Sequence, residues 1–121
     1  VPHIPLAFTG SDEWVEKAIE FLRDVEAEIT VFLVNVYSTP SVVNRVLRVL
    51  EKARSKLPGE ISLGCMRPHR IKSVIDKVVV EQGLVDRIAN PSRHVLEHYG
   101  LKLVETCCSI PRSILANRSL I

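Results

Sequence analysis

The sequence predicts an α/β fold of parallel strand–helix repeats, and three observations carry that prediction. Apolar runs rich in β-branched residues alternate with amphipathic stretches along most of the chain. The run Ile29 to Tyr37 (ITVFLVNVY) is nearly continuous, as a strand covered on both faces of a parallel sheet must be. Turn and cap signals separate the segments, and a β-α-β-α order implies parallel strands joined by right-handed crossovers. About five strands are too few for an eight-stranded barrel. The expectation is therefore a partial (β/α) barrel over residues 1–110 with a C-terminal tail over 111–121. An open, doubly wound sheet fits the same pattern.

His3 to Phe8 reads as the first strand, and Gly10, Ser11 and Asp12 interrupt it and can start a helix. Trp14, Val15, Ala18, Ile19, Leu22 and Val25 recur at helical spacing, and Trp14 and the valines of this and the later helices are expected in the core. After the second strand, Ser38-Thr39-Pro40 sets a capping hydroxyl before a proline at the first helical position. Val42, Val43, Val46, Leu47, Val49 and Leu50 carry the helix, and Pro58-Gly59 ends it. Ile61 to Met66 is the third strand, and Ile71, Val74, Ile75, Val78 and Val79 mark a third helix closed by Gly83. Val85 to Ala89 is a short fourth strand. Asn90-Pro91-Ser92 opens a fourth helix, which ends at Tyr99-Gly100 with glycine as the C′ residue. Leu101 to Thr106 is expected as a fifth strand. From Pro111 to Ile121 there is no clear period.

The 121 residues suit one domain, with 46% hydrophobic and 25% charged residues. A formal net charge of +2, with the cations interleaved among acids on helix faces, gives no reason to expect nucleic acid as a partner. No apolar run reaches the roughly 18 residues of a membrane span. No signal-peptide pattern opens the chain, although Val1 rather than Met fits trimming or a fragment. Three cysteines form an odd set, which argues against a secreted disulfide framework and for a cytoplasmic setting. A single Gln beside many Glu, Lys and Arg residues hints at a thermophilic source.

Either architecture binds ligands at the carboxyl ends of its strands. That rule selects Thr9, Gly10 and Ser11; Tyr37, Ser38 and Thr39; Cys65, Met66 and Arg67; Asn90 and Ser92; and Thr106, Cys107 and Cys108. All three cysteines fall on this face, and thiolates suit a soft metal or an iron–sulfur cluster. Three buried thiols packed as small hydrophobes are the plainer alternative. Cys107 and Cys108 would point to opposite faces of a continuing strand, so one of them is expected in the core. His69 lies four residues after Cys65, at ligand spacing, and a loop histidine reads the same way. Arg67 can grip a carboxylate or phosphate in bidentate fashion, or be a surface arginine at a helix start. Ser62 shares a strand face with Gly64 and can point into the barrel. Asn35, polar within an apolar strand, needs a hydrogen-bond partner. Asp12 and Glu13 suit the positive end of a helix dipole. No glycine-rich phosphate loop, Ser-His-Asp set or zincin motif is present.

The segment Ile61-Ser62-Leu63-Gly64-Cys65-Met66-Arg67 resembles the strand of biotin synthase that supplies an arginine to the auxiliary cluster and ends in a second arginine. Val1 to Val25, Asn35 to Pro40, Gly83 to Ser92 and Tyr99-Gly100-Leu101 follow in the order of the C-terminal half of such an enzyme. Leu63-Gly64-Cys65-Met66-Arg67-Pro68, with Glu105-Thr106-Cys107-Cys108, is similar to archaeal radical SAM proteins related to biotin and lipoyl synthases. The resemblance implies a sulfur-inserting radical SAM enzyme of which this chain is the C-terminal half-barrel. It implies S-adenosylmethionine and an iron–sulfur cluster as cofactors, with Gly10, Ser62, Arg67 and Asn90 toward the cofactor and Cys65, Cys107 and Cys108 toward a metal. Ser62 stands where the family has its cluster-ligating arginine, and the sequence has no CxxxCxxC loop. The implied partner is a catalytic half that carries this loop. A homo-oligomer or another partner joined through an open sheet edge is the alternative, as is a small thiol- or metal-binding protein.

Overall fold

A computed structural model of the chain describes residues 1–8 and 11–102. Gly10, Cys107, Cys108, the 111–121 tail and most of the expected fifth strand lie outside those residues. β1 (His3–Leu6), β2 (Ile29–Val34), β3 (Glu60–Leu63) and β4 (Arg87–Ile88) alternate with α1 (Glu13–Asp24), α2 (Val43–Lys56), α3 (Lys72–Glu81) and α4 (Arg93–His98). The four strands form one parallel sheet in the order β1-β2-β3-β4. A doubly wound sheet reverses its strand order at a switch point. The described strands contain no reversal.

Each helix packs on the next, α1 on α2, α2 on α3 and α3 on α4, so they form a single layer. The core lies between that layer and one face of the sheet. Ile4, Phe32 and Leu63 share a register line, as do Leu6 and Val34, and all five pack with Val15, Ile19, Val46, Leu50, Ile75 and Val79. The other face carries the alternate residues, among them Pro5, Val31, Leu33 and Ser62. Val31 and Ser62 on this second face are also buried. The two-sided burial of β2 explains its nearly unbroken apolar run.

Local signals place the boundaries. Asn35 ends β2 by accepting the Tyr37 N–H at 3.0 Å on its side-chain oxygen, an Asx-type turn that stops the ladder three residues before Tyr37. In β4, the Asp86 and Ala89 N–H groups donate to the Ile61 and Leu63 carbonyls, three steps against two. This extra residue breaks the ladder and leaves a two-residue strand where five residues were expected. Thr39 and Pro40 take the expected N-cap and N1 positions, although of a 3₁₀ turn (Pro40–Val42) that runs into α2, and the Thr39 hydroxyl pairs with the Ser41 hydroxyl instead of capping the turn. Gly83 and Gly100 close α3 and α4 at φ of +62° and +60°. There the Leu84 N–H returns to Val79 O and the Leu101 N–H to Leu96 O, the Schellman pattern. Glu26 takes the same place after α1 at φ +51°, a conformation that favours glycine.

One expectation of the core fails. Trp14, Val25 and Val74 are 42%, 55% and 49% exposed. Helical spacing places Trp14 and Val25 on the flank of the buried stripe Val15, Ile19 and Leu22, and Val74 on the flank of Ile75 and Val79, rather than within either stripe.

Candidate functional site

Parallel topology gathers four strand ends and the loops that follow them at one end of the sheet. The ends of β1, β2 and β3 are tied to one another. Asn35 N–H donates to Leu6 O at 3.1 Å, the Asn35 side-chain amide donates to Ala7 O at 3.3 Å, and Val34 N–H donates to Met66 O at 2.8 Å. Asn35 thus has the partners its polarity requires, and they serve the loop geometry. Ala7 sits at φ +60°, a strained position for a residue with a Cβ. Its N–H is held by the Asp12 carboxylate at 3.2 Å, and the other Asp12 oxygen is paired with Arg45 of α2. Asp12 occupies the N-cap position of α1 without capping it. Its charge braces the β1 loop and, through the hydrogen bond, holds the Arg45 guanidinium more firmly protonated.

The β3 and β4 ends are organised around a buried ion pair. Arg67 Nε lies 2.9 Å from Asp76 Oδ1, and both side chains are fully inaccessible. The angle at that closest approach is poor for a hydrogen bond, so the contact is chiefly Coulombic. The hydrogen bonds run through neighbouring atoms. Arg67 Nη2 donates to Asp76 Oδ2 at 3.2 Å and to Asn90 O at 3.0 Å, and Nη1 donates to Gly64 O at 2.5 Å. Asp76 Oδ2 also accepts the Ser92 N–H at 2.8 Å and the Ser92 hydroxyl at 3.1 Å. One charge pair therefore joins the loop after β3, helix α3 and the loop after β4. Arg67 does grip a carboxylate, but that carboxylate belongs to this chain. Asp76 carried no motif, and its position among apolar neighbours of α3 (Val74, Ile75, Val78, Val79) was the available signal.

The remaining expected residues distribute as follows. Ser62 is buried on the sheet face away from the helices, in register with Val31 and Arg87. Gly64 follows on the same face, where a side chain would meet Leu33. Asn90 is exposed, with φ +48°, and its carbonyl is fixed by Arg67. Cys65 and His69 are exposed in the loop after β3. Among the described residues no three His, Cys, Asp or Glu side chains converge as a metal site requires. Cys65 alone does not make one, so a cluster does not fit the described residues. The strand-end rule had selected Tyr37 and Met66 but passed over Phe8 and Val36; all four are exposed on consecutive strand ends and form an apolar surface there. No helix among the described residues is long and apolar enough to cross a membrane.

Compared with protein-family profiles, curated proteins and solved structures, the chain matches none.

Proposed function

We propose that this chain supplies one wall of a radical SAM site of the sulfur-inserting, biotin and lipoyl synthase-like class, with the described strands acting as consecutive units of a (β/α) barrel. The observation that carries the reading is the sequential order β1-β2-β3-β4 beneath a single helix layer. This is the order a barrel wall has, and it delivers four successive loops to one mouth. The family resemblance of Ile61 to Arg67 falls on the central part of that mouth.

The surface there suits S-adenosylmethionine as a ligand. Phe8, Val36, Tyr37 and Met66 offer apolar and aromatic contact to a flat ring, and Asn90 offers a neutral amide for hydrogen bonds. In the proposed enzyme, reductive cleavage of that ligand would be supplied by a cluster on a CxxxCxxC segment, a motif that these 121 residues do not contain. The residues of this chain bind and orient. The Arg67–Asp76 pair keeps the Asn90 loop in place, and Asp12 with Asn35 keeps the first two loops in place.

The test is backbone amide chemical-shift mapping on the isotope-labelled chain during titration with S-adenosylmethionine. The expected result is a saturable set of shifts confined to Phe8, Val36, Tyr37, Met66 and Asn90 and their neighbours. A spectrum unchanged at millimolar ligand, or shifts scattered over the helix layer, would overturn the reading.

A further inference from the structure

Helix α1 carries two apolar stripes, and the core accounts for one. Val15, Ile19 and Leu22 face the sheet. Glu16 and Glu20 lie to one side of that stripe and pair with Lys52 and Lys56 of α2. At about 100° per residue, Trp14, Ala18, Phe21 and Val25 fall on the opposite flank, turned away from α2, with the half-buried Ala18 also touching the core at the inner edge of this flank. They recur at spacings of four, three and four residues, as a helix-packing seam does. Phe21 is 63% exposed. No exposed large hydrophobic residue marks β4 or α4 at the other edge of the described sheet. The apolar flank is thus a property of one edge.

We infer that this flank of α1 is the interface of a symmetric dimer, in which two copies pack their α1 helices antiparallel. The stripe is complementary to itself in that direction. With the twofold axis between Ala18 and Phe21, the small Ala18 meets the large Phe21 of the other copy, and Trp14 meets Val25. A parallel arrangement would set Trp14 on Trp14 and Phe21 on Phe21. The rim charges agree with the antiparallel one. Lys17 and Asp24 border the stripe on its solvent side, and antiparallel packing brings Lys17 of each copy toward Asp24 of the other, forming two opposite-charge pairs. Asp24 has a 3.7 Å approach to Arg23 on its own chain, in the open, which leaves it able to take a second cation.

The adjacent strand favours helix contact over strand addition. Pro2 and Leu6 turn their carbonyls to β2, so the backbone of Pro5 faces the outer edge, where proline has no N–H to offer. A barrel unit preceding β1 would pack on this same flank, so the dimer is an assembly of these residues by themselves, and its test reads association, not ligand binding at the mouth.

Sedimentation equilibrium and light scattering across a wide concentration range test it. The expected species is a dimer of the 13.6 kDa chain that dissociates on dilution. Phe21→Glu is expected to raise the dissociation constant at least about tenfold while leaving the circular dichroism spectrum unchanged, because the residue is exposed. Lys17→Asp and Asp24→Lys should each weaken the dimer, and the double exchange should restore it. A monomer at every concentration would overturn the inference. So would a dimer indifferent to Phe21→Glu, which would locate association elsewhere, or a double exchange no tighter than either single one, which would remove the antiparallel register.

Discussion

Two arginine–aspartate pairs brace the β3–β4 side of the sheet, one at each end, and they differ in burial rather than in chemistry. At the amino end, Arg54 holds Asp86 with two hydrogen bonds of 2.8 and 3.0 Å, and Asp86 accepts the Ile61 N–H at 2.8 Å. Those side chains remain 38% and 21% exposed. At the carboxyl end, Arg67 and Asp76 are wholly enclosed. Water can replace much of what the first pair loses when one partner is removed. It cannot reach the second, so that pair is costly to break even where its net contribution to stability is small. The same ion pair is a surface clasp at one end and a structural commitment at the other.

The largest effect is expected where the buried charge is left alone. Asp76→Ala should lower the unfolding free energy by about 3–5 kcal/mol, measured by urea denaturation. Replacing both partners, Arg67→Met with Asp76→Leu, should cost clearly less than the single change, because no charge is left stranded. Equal losses in the two variants would refute the burial argument. Gly59→Ala comes next. A Cβ there falls onto the carbonyl oxygens of Ala27 and Glu28, where the backbone has no room to yield, so a loss of about 1–3 kcal/mol is expected. Asp86→Ala at the half-exposed clasp should cost about 1–2 kcal/mol, most of it from the unpaired Ile61 N–H. A loss as large as that of Asp76→Ala would erase the distinction between the ends.

Smaller changes sharpen the same contrast. Glu26→Gly relieves a left-handed residue remote from the mouth and should stabilise the chain by up to about 1 kcal/mol, seen as a higher Tm. The smallest effect concerns Glu16 on the α1–α2 seam. Its hydrogen bond and charge contact with Lys52 hold its carboxyl below the ordinary carboxylate range. A depressed folded pKa stabilises above the unfolded value, and that contribution is lost as pH falls through the folded one. The pair lies in solvent, so NMR should detect the lowered titration midpoint, 1 M salt should shift it back upward, and Tm should hardly respond.

The alternation of strands and helices was legible because it rests on local periodicity. Val15, Ile19 and Leu22 repeat every three or four residues, and Ile29 to Val34 is an unbroken apolar run. Glycine after α3 and α4 was legible because only a residue free of Cβ strain closes a helix cheaply in that way. The exposure of Trp14 was not legible. A helix edge and a helix core share one periodicity, and only the position of α2 tells which flank is covered.

The candidate site divides along the same line. Arg67, Asn90 and Cys65 were identifiable as strand-end residues, since parallel topology alone brings such residues to one mouth. Asp76 lies within a helix nine residues from Arg67, and no sequence rule pairs the two. Only the packing of α3 beside the β4 loop brings its carboxylate to that guanidinium and to the Ser92 N–H. Sequence by itself determined the elements, their parallel direction and the end at which loops collect, because these follow from side-chain periodicity and chain chirality. Tertiary structure alone decided the sequential strand order, the flank of α1 left uncovered and the partner of Arg67. Each of these depends on which surfaces meet across long stretches of chain, and the desolvation that fixes them exists only once the layers have closed.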